Sequence, residues 1–139
     1  MSKIYLLDSD TYSFVSDSNP QAMVNLQGIA SDDEVFISFV TVGEWEYGYH
    51  NAKSAKSKAE IRVSGDKAFD RISGVIQSSQ DINMIYGQIR SELKNAGTMI
   101  PLNDIWIAAT ALAIGATLVT HDNHFQHVKN LVIVDWTLP

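Results

Sequence analysis

The chain has 139 residues, 45% of them hydrophobic, which suits one continuous core in a single domain spanning residues 1–139. It contains no cysteine, so a disulfide framework and thiolate chemistry are excluded, and a cytoplasmic protein is expected. Net charge is −6, residues 1–20 lack the basic and apolar pattern of a leader, and the longest mostly apolar stretch, residues 105–120, is shorter than the roughly 20 residues needed to cross a bilayer; no membrane role is expected.

Residues 3–7 (KIYLL) read as a buried strand ending at Asp8. A short helix is predicted over residues 9–16. A second runs from Pro20 to about Ala30, with Asn19 as its cap. Residues 35–39 (VFISF) form the second strand. Thr41 then caps a helix to about Asn51, with Glu44 at the capping-box spacing. Residues 54–76 have broadly helical spacing, broken or bent at Gly65, and a very short strand is predicted over residues 75–77. Asp81 caps a helix stopped by Gly97, and Asn103 or Asp104 starts another that ends at Gly115. Residues 117–120 and 131–134 are the last strands. Short apolar strands alternating with helices indicate an α/β domain with a largely parallel sheet buried on both faces.

Charge is unevenly spread. Residues 1–49 hold Lys3 against eight acids, whereas residues 50–71 hold six bases against three acids. Within that basic segment Lys53, Lys56, Lys58 and Arg62 are candidate contacts to the phosphates of a ligand. A solvated helix face explains the same pattern equally well.

The acids are more specific. Asp8 follows the first strand, Glu44 lies one turn into the helix after the second, Asp104 opens a helix, and Asp122 follows the strand at residues 117–120. Ligands of open parallel sheets collect outside the carboxyl ends of the strands, so these four acids can converge there. Carboxylates brought together repel unless a cation intervenes, and oxygen-only donors select Mg²⁺ or Mn²⁺ over zinc. Taken singly, each acid also has a structural reading. Asp8 and Asp104 can be helix caps, Glu44 a capping-box acid, and Asp122 an Asx-turn residue.

Three segments together resemble PIN domains of the VapC toxin type. IYLLDSDTYSFV is similar to the first motif, ISFVTVGEWEYG to the Thr-x-x-Glu motif with its Gly four residues on, and NDIWIAATALAIGATLVTHDNHFQHV to the C-terminal block. Order and spacing agree across nearly the whole chain. The resemblance implies a three-layer α/β/α sandwich with a central, mainly parallel sheet of four or five short strands. It implies a metal-dependent endoribonuclease acting as the toxin of a toxin–antitoxin pair. Asp8, Asp104 and Asp122 would be the main Mg²⁺ or Mn²⁺ ligands, Glu44 would complete the cluster and help activate water, and Thr120 would support the last acid. In-line attack of water on an RNA phosphodiester would leave a 3′-hydroxyl and a 5′-phosphate. The implied partners are an RNA substrate, a cognate VapB-like antitoxin and a second copy in a homodimer. Two positions depart from the usual pattern. Gly43 weakens the helix before Glu44, and Asp10 stands where Asn is common, so Asp10 is left out of the main site.

Rival readings have their own residues. A catalytically silent PIN-like binding protein would be signalled by a lost acid, yet all four positions are acidic. A phosphoacceptor domain expects paired acids near the first strand, which this reading does not find. His121, His124 and His127 are spaced by three, but with no cysteine they read as surface residues rather than a zinc site. Trp45, Tyr47, Tyr86 and Trp106 read as core or dimer packing before base stacking. Glu46 reads as a surface acid facing away from Glu44.

Overall fold

The computed structural model describes residues 2–139. In chain order the elements are β1 (Ile4–Leu7), α1 (Ser9–Ser16), α2 (Pro20–Gln27), β2 (Glu34–Ser38), α3 (Phe39–Asn51), α4 (Ala55–Asp70), β3 (Gly74–Ile76), α5 (Gln80–Ala96), α6 (Leu102–Ile114), β4 (Thr117–Val119), a 3₁₀ turn at Asn123–His127, and β5 (Ile133–Val134). The five strands make one parallel sheet in the order β3-β2-β1-β4-β5. Central β1 sets the register, with Leu6 opposite Phe36 on β2 and Leu118 on β4.

The alternation of a strand divides the core into two layers. Leu6 and Leu118 pack with Ile82, Ile89 and Leu93 of α5 and Ile105 and Ala109 of α6. Leu7 and Val119 pack on the opposite face with Tyr12 and Val15 of α1, Leu26 of α2 and Ala68 of α4. Helix α3 touches both layers, Val40 against the first and Val42 with Trp45 against the second. It therefore stands at the carboxyl edge of the sheet. The result is the expected α/β/α sandwich. Among the described residues no helix is long and apolar enough to cross a membrane.

Several local expectations need correction, and three of them concern the acids. Ser38, not Thr41, caps α3, accepting the Thr41 N–H at 3.3 Å. Glu44 then lies beyond the first turn, outside any capping box. Helix α6 begins at Leu102 behind Pro101, so Asp104 lies within its first turn and caps nothing. Asp8 does cap α1, its Oδ1 accepting the Thr11 N–H at 2.8 Å. Asp122 makes no side-chain cap to the 3₁₀ turn that follows it. Elsewhere Ser79 rather than Asp81 caps α5.

Gly65 does not break α4, which runs through it. A Cβ there would lie 2.4 Å from Trp45 Nε1, so the glycine serves the close approach of α3 and α4. Helix spacing alone cannot separate that role from a break. Gly97 and Gly115 end α5 and α6 as expected, at φ 71° and 69°.

Candidate active site

Three strand-to-helix junctions meet at the carboxyl edge of the sheet, and each delivers an acid. The Asp8 N–H donates to Val119 O at 3.0 Å, tying the end of β1 to β4. Thr11 Oγ1 donates to the same carbonyl at 3.0 Å. Thr120 is buried just past β4 and bridges two acids: its hydroxyl donates to Asp8 Oδ2 at 2.6 Å and accepts the Asp122 N–H at 3.0 Å. Asp8, only 3% exposed, thus has one hydrogen bond on each carboxylate oxygen.

Asp8, Asp10 and Asp122 each offer a carboxylate oxygen within 4.8 Å of the others. Two of the four acids singled out by sequence are therefore in this tight group, and Asp10, set aside there, is the third. A signal for it existed. An Asp-x-Asp pair across a strand-to-helix junction puts one acid at the cap and the next in the first turn, both beside the strand end. Asp104 lies outside the tight group, its Oδ2 held at 2.8 Å by His124 Nε2. Glu44 also lies outside it, beside Ser9, whose hydroxyl shares a 3.0 Å hydrogen bond with Thr41. Both remain within electrostatic reach of the group.

The charge state follows from burial and crowding. Burial pushes the Asp8 carboxyl up, and the Thr120 and Thr11 hydrogen bonds offset part of that rise. Asp10 is raised first by burial and then by the Asp122 charge. Glu44 is raised by burial, partly offset by Ser9, with Asp104, Asp10 and Asp8 adding to the rise. Asp104 is raised by burial, against the stabilising His124 contact. Four acids with depressed acidity at one edge form a site that favours a cation.

The donor set fits a hard divalent ion. It consists of carboxylate oxygens from three nearby residues, and an ionised carboxylate accepts at about four lone-pair sites, so the hydrogen bonds to Asp8 leave room for a metal. Among the described residues this is the one group of metal-competent side chains, and His121, His124 and His127 do not form another. His121 instead meets Asp135 Oδ2 at 2.9 Å, and that carboxylate raises its pKa.

Beside the acids lies a cleft of 260 Å³ between α1, α3 and α4, with Asp10 and Glu44 in its wall. The basic candidates differ in their surroundings. Lys53 and Lys56 are exposed, and Lys58 Nζ sits 5.8 Å from the centre of the Tyr49 ring. Arg62 is committed elsewhere: its guanidinium grips Glu46 through two hydrogen bonds of 2.7 and 3.2 Å and lies 4.0 Å from the centre of the Tyr49 ring. Glu46 does face away from Glu44, with that ion pair as its role. Of the aromatics, Trp106 stacks on Tyr86 at 3.7 Å and Trp45 packs edge-on against Tyr12, whereas Tyr47 is 70% exposed.

The PIN domain family model matches residues 5–131. Ribonuclease VapC2 of Rickettsia felis is 30% identical over 135 residues, covering 96% of this chain and 98% of that protein. Ribonuclease VapC1 of Haemophilus influenzae is 28% identical over 139 residues, covering 96% and 98%. The crystal structure of VapBC2 from Rickettsia felis bound to a DNA fragment from their promoter contains a chain that superposes with a TM-score of 0.87 at 30% identity, again covering 96% and 98%.

Proposed function

The chain belongs to the PIN domain family, within its VapC group, and from that premise we propose that it is a metal-dependent endoribonuclease, the toxin of a toxin–antitoxin pair. The observation that carries this reading is the cluster of Asp8, Asp10 and Asp122 at the carboxyl edge of the sheet, with Glu44 and Asp104 beside it. The names of its relatives, ribonucleases VapC, support the same activity.

Asp8, Asp10 and Asp122 would hold the ion, with Asp104 completing the set. Bound Mg²⁺ or Mn²⁺ would neutralise the cluster, acidify a water and stabilise charge on a phosphoryl oxygen. The remaining work belongs to the side chains. Thr11 and Thr120 fix both oxygens of Asp8, so its orientation is set before any ligand arrives. Glu44, with its raised pKa and the Ser9 hydroxyl beside it, is suited to take the proton of the attacking water at its carboxylate. His124 holds one oxygen of Asp104 and leaves the other to the site. Lys53, Lys56 and Lys58 would steady the RNA backbone beyond the scissile bond.

The whole span acts as one PIN domain in this reading. Its partner is a VapB-like antitoxin, by analogy with the VapBC2 assembly of Rickettsia felis. A second copy would complete a homodimer, and exposed Met84 and Leu102 on the α5–α6 side supply apolar surface for such a contact.

The test compares RNA ends after brief expression of the wild type and of Asp104→Asn, with purified Asp8→Asn and Asp104→Asn assayed beside them. New 5′-phosphate ends should arise with the wild type alone, and cleavage should stop in EDTA. Full cleavage by both variants, or in chelator, would remove this reading.

A further inference from the structure

The cleft beside the acids contains a glycine that the fold does not require. Gly48 lies inside α3, where glycine is an unfavourable choice, at an ordinary helical φ. A Cβ built on it would meet nothing within 4 Å, so no neighbour in the chain needs the space. Gly65 is the contrast, since its missing side chain is filled by Trp45. Gly43 and Gly87 are equally open, but neither borders the cleft; Gly48 does, one turn after Glu44. An empty position at that place keeps room for something outside the chain.

The walls say what would fit. Ser9 and Ser13 bring hydroxyls to the cleft and Asp10 and Glu44 bring carboxylates on the side of the acids, while Trp45 and Ile61 bring apolar surface; Thr41, itself buried, holds the Ser9 hydroxyl. A flat group with polar edges, joined to a hydroxyl-bearing ring, matches that division. The walls are also pinned in place. The Tyr12 and Trp45 rings meet edge-on at 5.2 Å, and Tyr12 Oη donates to Gly65 O at 3.1 Å, which joins α1, α3 and α4. Ser9 and Thr41 are joined at 3.0 Å. A preformed cleft loses little freedom when it binds.

We infer that the cleft between α1, α3 and α4 is a ribonucleoside subsite, which seats the base and sugar of a nucleotide next to the phosphate held at the acids, with Gly48 keeping it open. The inference rests on the ribonuclease reading above and gives that site its substrate-positioning surface. Trp45 and Ile61 face the base, and the Ser9 and Ser13 hydroxyls face the sugar and the base edge.

The full chain with Mg²⁺ is titrated with each of the four ribonucleoside 5′-monophosphates while the indole N–H resonance of Trp45, assigned with Trp45→Phe, is followed by NMR. At least one nucleotide should shift it saturably, and inorganic phosphate should not. Gly48→Leu fills the cleft without touching the core. It should melt no lower than the wild type, bind Mn²⁺ as the wild type does, lose the nucleotide response, and cleave RNA roughly tenfold or more slowly. A Trp45 resonance that ignores all four nucleotides overturns the subsite, including the case where only a bound protein chain shifts it. So does an equal shift with phosphate alone, wild-type cleavage by Gly48→Leu, or loss of Mn²⁺ binding in that variant. A nucleotide response in a wild-type protein that cleaves no RNA would sustain the subsite and remove the ribonuclease reading instead.

Discussion

Thr120 donates its hydroxyl proton to Asp8 Oδ2 at 2.6 Å across 112 positions of sequence, and both residues are buried. One short hydrogen bond thus joins the ends of two neighbouring strands and aims the most buried acid of the site. Thr120→Val removes the donor at nearly constant volume. It should lower stability by about 1–3 kcal/mol, the usual cost of stranding a buried polar partner. It also removes a contact that favours the charged form of Asp8, so Mn²⁺ affinity should fall by roughly 10–100-fold, as for other supports of metal ligands. Thr120→Ser keeps the hydroxyl and should retain most of both. Thermal melting and Mn²⁺ titration of the two variants check this.

The raised acids make metal-free stability depend on pH in a defined direction. Burial holds the carboxyls of Asp8, Asp10, Asp104 and Glu44 above their ordinary pKa values. In the window above those values the folded state binds more protons than the unfolded chain, so stability falls as pH rises through it. In EDTA the protein should therefore melt higher at mildly acidic pH than at neutral pH. Mg²⁺ should reverse much of that trend, because it binds the charged carboxylates and binds them better as pH rises. Asp8→Asn should flatten the EDTA profile. Calorimetric scans with and without Mg²⁺ decide the matter, and an EDTA profile that rises from acid to neutral pH would contradict it.

Lys53, Lys56 and Lys58 should separate from Arg62 in RNA binding. Neutralising the three lysines should weaken affinity and shallow the salt dependence by roughly 0.7–0.9 in slope per lost phosphate contact. Arg62→Gln should change both less, since that guanidinium is already paired with Glu46. Filter binding across a salt series, with a metal-free Asp104→Asn background to prevent cleavage, gives both slopes. Equal slopes for the wild type and the triple-lysine variant would reduce the basic segment to solvated surface.

Local pattern along the chain is enough for the alternation of strands and helices, the glycine stops at Gly97 and Gly115, the positions of Asp8 and Asp122 just past strands, and those of Glu44 and Asp104 early in helices. Those features are local or periodic, so they survive in one dimension. Tertiary structure decided which side chains meet. Asp10 joins Asp8 and Asp122 because the first turn of α1 rolls it toward β4, a rotation that spacing leaves open. Asp104 goes to His124, and Arg62 to Glu46, because packing brings distant elements within hydrogen-bond range. Gly65 looks like a helix break along the chain, yet the fold uses it to admit the Trp45 indole. Backbone preferences act over a few residues, whereas hydrogen bonds and close approaches depend on positions in space that only the packed sheet and its helices supply.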